Sequence, residues 1–497
     1  MEISERNTRA TRYALIGRGI SAALLFLLSI LVAPYLGPES FGELSLVMTI
    51  VAFLAVIADG GLNRSAQVHI SRHLRDDPGA VRTTYRRVLA IKVLVACTAF
   101  LLAYFAAPWV GQAYGIPSLE PLMKAGAVLL AALIVFEYQI AVVQGYESFR
   151  LLSVTTILDT GFRLIVVITI IMLGLGAVGV MTGYASAAMA VTVLLTFLAL
   201  KIVRSRSAER ADTGDQVADI LRYSPPILLS ALFFIIYTKF DILALGYLGI
   251  ASDVGHYTLA VGLIDNLIIP LVAIETAIMP IVASVHGRTS EKADLSRIFN
   301  QALTMGFLFM MPVIAGVIVV ARAFVTTVYG MAFEDTALIL MGLTPYILTK
   351  TLGVLNGTYL VAAGEARRFM WYMFGAVIVD ISLLFTLIPV LGTFGAILAK
   401  IASQALLTVV MLAYVVRRFD IQVERGSLAR TAKICLCALS MGLVCYGVLL
   451  IGPDGIPGLF LTILLGISIY STLLHASGTL SLREMAEFAR GRSGLEL

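Results

Sequence analysis

The sequence predicts an all-α integral membrane protein of about fourteen transmembrane helices, and three observations predict it. Of its 497 residues, 59% are apolar and 13% charged, against roughly 25% charged in a soluble domain. The apolar residues gather in runs of about 20, the length that crosses the hydrocarbon of a bilayer. The connections between runs carry their basic residues on alternate sides, which is the signal that orients cytoplasmic loops.

The runs place spans at 13–34, 42–62, 87–108, 119–142, 152–173, 177–200, 224–246, 256–284, 299–321, 336–362, 369–390, 393–416, 431–451 and 457–475. Arg6, Arg9 and Arg12 precede the first run as they would in a signal peptide. That run is too long for such a peptide and no cleavage motif follows, so it reads as the first span. The segment 256–284 is long, and Pro270 and Pro280 are expected to kink it. Pro312 and Pro345 are expected to interrupt two further spans, as membranes tolerate where neighbours satisfy the freed carbonyls.

With the N-terminus inside, the even connections face the cytoplasm. The first collects Arg64, Arg72, Arg75, Arg82, Arg86 and Arg87; later ones hold Arg150, then Lys201, Arg204, Arg206, Arg210 and Arg222. Arg288, Lys292, Arg297, Arg367, Arg368 and the group from Arg417 to Lys433 continue the series. Of the outside connections, only the one with Arg322 has a basic residue. A missed or extra span would scramble this pattern, so it supports fourteen spans with both ends cytoplasmic. It also accounts for most of the formal net charge of +5.

The connections are short, and no soluble catalytic domain fits among them. There is no nucleotide-binding loop, metal cluster or nucleophile constellation. No enzyme activity, cofactor, metal or nucleic-acid partner is therefore expected. Cys97, Cys435, Cys437 and Cys445 match no metal or haem spacing and read as small buried hydrophobes. Gly179 and Gly183 form a GxxxG, read as a packing device.

The chain also repeats. Tyr35-Leu36-Gly37 followed by Phe41-Gly42 returns as Tyr247-Leu248-Gly249 followed by Val254-Gly255, and Gly145-Tyr146-Glu147 is echoed by Gly364-Glu365. This divides the chain into an N-lobe at 1–205, a linker at 206–223, a C-lobe at 224–418, and two extra spans with a tail at 419–497. Parallel repeats occur in transporters, with the site between lobes.

Ionisable residues lie inside the spans, each costing roughly 2.5–3.5 kcal/mol at the bilayer centre on insertion scales. The cations are Arg18, Lys92, Lys124, Arg163, Lys239, Lys350 and Lys400. The acids are Asp59, Glu137, Asp159, Asp241, Asp265, Glu275 and Asp380. They should face a wet interior. Arginine suits phosphate as a fork and lysine as a point charge, so Arg18, Lys92, Arg163, Lys239, Lys350 and Lys400 are the candidate substrate-binding residues. Asp59, Glu137, Asp159, Asp241 and Asp380 are candidate coupling or ion-pair acids. Mutual pairing, such as Arg18 with Asp59 or Asp159 with Arg163, stays open as the alternative. Lys124 is placed to snorkel.

Several stretches resemble a known family. They are Leu36 to Ser45, Asp59-Gly60-Gly61-Leu62-Asn63, Gln144 to Arg150, Lys239-Phe240-Asp241 with Gly246 to Gly249, and Ala363-Gly364-Glu365. In this order they resemble O-antigen-type polysaccharide flippases of the multidrug/oligosaccharidyl-lipid/polysaccharide exporter superfamily. The resemblance implies a V-shaped pair of lobes working by alternating access in the bacterial inner membrane. It implies an undecaprenyl-diphosphate-linked saccharide as substrate, held by a cationic cavity, with membrane lipid and a polysaccharide polymerase or export protein as partners. In the related lipid II flippases, two extra spans form a groove for the lipid tail, and this chain has two extra spans. Only Arg18 stands in span 1, fewer cations than lipid II flippases have, which puts general polysaccharide export ahead. A cation-coupled multidrug exporter is the other reading of the same fold.

Overall fold

The computed structural model describes the backbone of residues 2–74, 78–206, 216–285, 291–453 and 455–478. The side chains of 2–16 and 18, and of a few residues flanking the gaps, lie outside the described residues. Among the described residues the chain is all helix: α1 (Glu2–Asp59), α2 (Leu62–His73), α3 (Pro78–Tyr114), α4 (Leu119–Gly145), α5 (Phe149–Leu173), α6 (Gly176–Arg206), α7 (Gln216–Leu248) and α8 (Ala251–Leu267). There follow α9 (Ile269–Val285), α10 (Glu291–Val328), a 3-10 turn (Met331–Phe333), α11 (Glu334–Gly342), α12 (Thr344–Ala362), α13 (Ala366–Leu391), α14 (Thr393–Phe419), α15 (Arg425–Ile451) and α16 (Gly455–Ala476).

Eleven of these helices are long and apolar enough to cross a membrane, and thirteen crossings result if each of two bent pairs is one span. α1 enters that number once, although Gly37 is non-helical (φ 73°, ψ 170°) and divides it. Pro38 supplies the reason, since its ring disfavours the helical region for the residue before it and glycine alone takes φ near +70° at no cost. Residues 19–36 and 38–59 are each about 27–33 Å long at 1.5 Å per residue. Large side chains such as Leu102, Phe105, Trp109, Met172, Leu443 and Ile451 stand exposed along the helices, as lipid-facing surface requires.

The prolines divide into two groups. α8 and α9 meet at a 42° bend two residues before Pro270, and α11 and α12 at a 45° bend two residues before Pro345. Pro280 and Pro312, expected to kink or interrupt their spans, lie inside continuous α9 and α10. A proline removes one donor, and a helix can tolerate that loss when no second defect coincides. Another difference is α2, a helix within the connection that holds Arg64 and Arg72. Leu62, Ala66 and Ile70 recur every four residues and are buried, while Arg64, Ser71 and Arg72 are exposed. Twelve residues that include two arginines and two histidines lack the length and hydropathy that reveal a span, so only the four-residue period marks them.

Packing divides the chain into two compact units, Met1–Gly255 and His256–Leu497. That boundary marks where packing thins, a different quantity from where a repeat begins. In the first unit α4 lies against α1, α2, α3 and α6, and α7 packs on α1, α2 and α3. In the second, α12 packs on α9, α10 and α14, and α13 on α14. The last two helices, α15 and α16, dock on α10, where Met441 and Tyr470 meet Phe307, Leu308 and Met311, and the Tyr470 hydroxyl donates to the Leu308 carbonyl at 2.8 Å. Cys437 and Cys445 are buried there, but Cys97 is exposed, so burial does not explain that cysteine.

Inside the first unit the two turns of the repeat touch each other reciprocally. A Cβ on Gly42 would collide with the Ala251 carbonyl, and one on Gly255 would collide with the Pro38 carbonyl. The repeat equates Gly42 with Gly255, so each glycine admits the backbone that precedes the other. The GxxxG glycines, Gly179 and Gly183, lie against Ile170 and Val166 of α5.

Candidate functional site

Five charged residues of the first unit, Asp59, Lys92, Glu137, Asp159 and Arg163, form one cluster. Asp59 ends α1, and its carboxylate accepts from the Gly61 amide at 3.1 Å and the Asn63 amide at 3.2 Å. It thereby satisfies donors that open α2. Gly60 and Gly61 both have positive φ, and a Cβ on Gly61 would collide with the Ser224 carbonyl of α7. The same carboxylate takes Lys92 of α3 as its ion-pair partner at 2.5 Å, and the ammonium also reaches the Asp59 carbonyl at 3.2 Å. Lys92 is fully buried. On α5, Asp159 and Arg163 form an i,i+4 pair at 2.9 Å, both about 15% exposed. Arg163 uses one terminal nitrogen for this bond and lies 5.7 Å from the centre of the Tyr184 ring. Its Nε is buried without a hydrogen-bond partner among the described residues.

Glu137 of α4 joins these pairs electrostatically. Its carboxylate feels the charges of Asp59, Asp159 and Lys92, and its side chain is exposed. Four helices thus bring three carboxylates and two cations together. Asp59 pairs with Lys92, a partner the sequence reading did not choose; the Arg18 side chain proposed for that role lies outside the described residues.

Lys239 and Asp241 sit near the end of α7. Residues two apart on a helix do not face each other, so this pair of charges points two ways. Lys239 is half-buried, whereas Asp241 is 2% exposed and accepts from the Ile242 amide at 3.0 Å.

The second unit gathers its own group around Tyr346 of α12. The Lys350 ammonium lies 5.7 Å and the Lys400 ammonium 5.4 Å from the centre of its ring. A cation at that distance is held by the ring's negative face, by about 2 kcal/mol when desolvated. Lys400 is 6% exposed and lies one helical turn from Ser403, whose hydroxyl donates to Asp380 of α13 at 2.7 Å. Asp380 is 3% exposed. Lys350 makes no ion pair among the described residues, although Glu275 of α9 feels its charge. Lys124 pairs with Glu120 at 2.6 Å with both side chains more than a third exposed, and it lies over Tyr104.

The aromatic partners escaped the sequence reading. Tyr346 stands four residues before Lys350, a spacing that puts both on one helix face, so that signal was present. Tyr184 and Tyr104 are remote in sequence from Arg163 and Lys124, and nothing local marks them.

The motif stretches prove to be backbone and packing devices. Gly364 has φ 78°, and the Glu365 carboxylate after it binds Arg368 at 2.9 Å, Arg418 at 3.3 Å and the Tyr414 hydroxyl at 2.9 Å. A Cβ on Gly145 would press on Ile70 of α2, and Glu147 two residues on has φ 54°.

Comparison with known proteins agrees with this architecture. The family described as polysaccharide biosynthesis protein matches residues 31–338. The succinoglycan biosynthesis transport protein ExoT of Rhizobium meliloti (strain 1021) is 23% identical over 495 residues, 98% of this chain and 96% of that protein. The lipid II flippase MurJ, in an inward closed conformation, has the same fold at TM-score 0.74 and 15% identity, over 93% of this chain and 98% of its own. An inward-facing multidrug resistance transporter of the MATE family in the MOP superfamily follows at TM-score 0.70 and 17% identity, over 82% and 98%. This chain belongs to the polysaccharide biosynthesis protein family and is a multi-pass helical membrane protein of the MOP transporter fold.

Proposed function

We propose that the chain is a flippase that carries undecaprenyl-diphosphate-linked oligosaccharide across the bacterial inner membrane by alternating access, for surface polysaccharide assembly. On this reading it crosses the membrane fourteen times with both ends cytoplasmic, and it is a transporter without enzyme activity. The observation that carries the proposal is the group around Tyr346. Two ammonium groups share one ring within apolar helices, and Lys350 has no ion-pair partner among the described residues. An unneutralised cation at membrane depth is costly, and the cost is offset when an anion such as a diphosphate binds there. Arg163, with an unspent Nε donor, gives the first unit a comparable claim on an anionic group. Lys92 serves differently, because Asp59 neutralises it.

The test is reconstitution. Purified protein in vesicles should move a labelled undecaprenyl-diphosphate-linked oligosaccharide from one leaflet to the other, read as accessibility to a membrane-impermeant probe. Movement no faster than in protein-free vesicles would contradict the proposal. The excess of carboxylates over cations in the group of Asp59, Glu137, Asp159, Lys92 and Arg163 favours a second reading, a cation-coupled exporter of amphipathic drugs. Ionophore-sensitive dye efflux without lipid movement would select it.

A further inference from the structure

A second basic site lies apart from the charges used above. Where α3 begins and α6 ends, Arg82, Tyr85, Arg86, Leu200, Val203 and Arg204 enclose a cavity of about 200 Å³. Among the described residues its wall holds three guanidinium groups and no carboxylate. Arg82 is half-buried, and Arg86 and Arg204 are exposed. Among the described residues none of the three makes an ion pair or hydrogen bond. Arg82 and Arg86 are four apart on α3, where like charges repel, and Arg204 of α6 adds a third. Such an arrangement is unfavourable until an anion joins it.

The floor is built to hold its shape. Tyr85 and Val203 are buried in a core with Tyr138, Val142, Tyr146 and Ile70. Three helices are tied beneath the arginines. The Tyr85 hydroxyl of α3 donates to Gln139 of α4 at 3.2 Å, and the Gln139 amide donates to Thr196 of α6 at 3.1 Å. The Tyr138 hydroxyl donates back to the Tyr85 carbonyl at 3.1 Å, with the two rings stacked at 5.9 Å. The guanidinium groups therefore stand on a fixed platform at the helix ends, where a membrane surface would lie.

From this we infer that the pocket between α3 and α6 binds a phosphate-bearing anion through Arg82, Arg86 and Arg204. Arginine forks match phosphate oxygens two at a time. Basic pockets between transmembrane helices at the membrane surface are where phospholipid headgroups dock. The same chemistry would accept a free phosphate or diphosphate, and the test separates the two sources. The site is independent of the transport proposal, since none of its residues is among the charges assigned to the substrate.

The full chain, purified in a mild detergent, is titrated with phosphatidylglycerol, with phosphatidylcholine, and with inorganic phosphate and diphosphate. Retained adducts are counted by native mass spectrometry and the melting temperature is recorded. Phosphatidylglycerol is expected to be retained and to raise the melting temperature, and phosphatidylcholine is not. Each arginine replaced by glutamine should weaken retention about fivefold, the equivalent of about 1 kcal/mol per basic residue at an anionic surface. The triple variant R82Q/R86Q/R204Q should abolish it, while Arg322→Gln, remote in the chain, leaves it unchanged. If the triple variant does not fold, Arg204→Gln alone carries the test, because its side chain is exposed. Stabilisation by phosphate or diphosphate that also depends on the arginines would support the site with a soluble ligand. Equal retention of both lipids, or phosphatidylglycerol binding untouched in Arg204→Gln and the triple variant with no arginine-dependent effect of phosphate, would overturn the inference.

Discussion

Replacing Lys92 with methionine keeps the length of the side chain and removes its charge. Lys92 is fully buried and Asp59 is 24% exposed, with 2.5 Å between ammonium and carboxylate. Removing one partner of a buried pair costs about 3–5 kcal/mol, because the other charge is left uncompensated. Here the carboxylate keeps the amides of Gly61 and Asn63, and it is partly exposed, so the lower figure applies. A loss of about 3 kcal/mol lowers the melting temperature of a unit of this size by roughly 6–12 °C. Asp59→Asn should be worse, since it strands a fully buried ammonium and gives up one of the two oxygens that hold α2. The double variant should recover part of the loss, as replacing both charges is often close to neutral. Thermal unfolding of the four proteins in one detergent completes the cycle. A melting temperature for Lys92→Met within 1 °C of the parent would refute the reasoning, as would strict additivity of the two changes.

The remaining expectations are simpler. Gly42→Leu should abolish folded yield, read by size-exclusion chromatography, because its side chain would drive into the Ala251 carbonyl; a monodisperse variant of normal stability would contradict the close approach. Arg322→Ala should change stability by no more than about 0.5 kcal/mol, since Arg322 and Glu334 pair at 73% and 36% exposure and exposed pairs contribute little. Cysteines placed at Arg72 and Met331, both exposed, should label from opposite sides of the membrane with an impermeant maleimide. Labelling from the same side would break the proposed topology.

Much of the fold was legible because hydropathy and length are local. The ends of α4, α5, α13 and α14 fall within a few residues of the apolar runs. Proline behaviour was legible only in part. Pro270 and Pro345 follow real bends while Pro280 and Pro312 do not, and the residue type alone does not separate the two kinds. α2 is hard to see in the sequence because its buried stripe of Leu62, Ala66 and Ile70 is interleaved with polar residues and Arg64. At the site, the identity of each charge could be read but its partner could not. Asp159 and Arg163 share one helix, so their pairing follows from spacing. Asp59 and Lys92 are 33 residues apart, and only the packing of α1 against α3 joins them.

The motifs behave differently again. Asp59-Gly60-Gly61, Gly145 with Glu147, and Gly364-Glu365 mark turns, caps and close helix approaches. They report the fold of the family, while Lys350, Lys400 and Arg163, on which transport is proposed, lie outside them.

The central claim is that the two lysines around Tyr346, of which Lys350 has no ion-pair partner among the described residues, hold an anionic headgroup. Its most direct test is surface polysaccharide carried by cells expressing Lys350→Ala, Lys400→Ala or Lys350→Arg at normal protein levels. The account predicts that the alanine variants lose export, and that Lys350→Arg, which keeps the charge, retains part of it. Undiminished export from both alanine variants would contradict the claim.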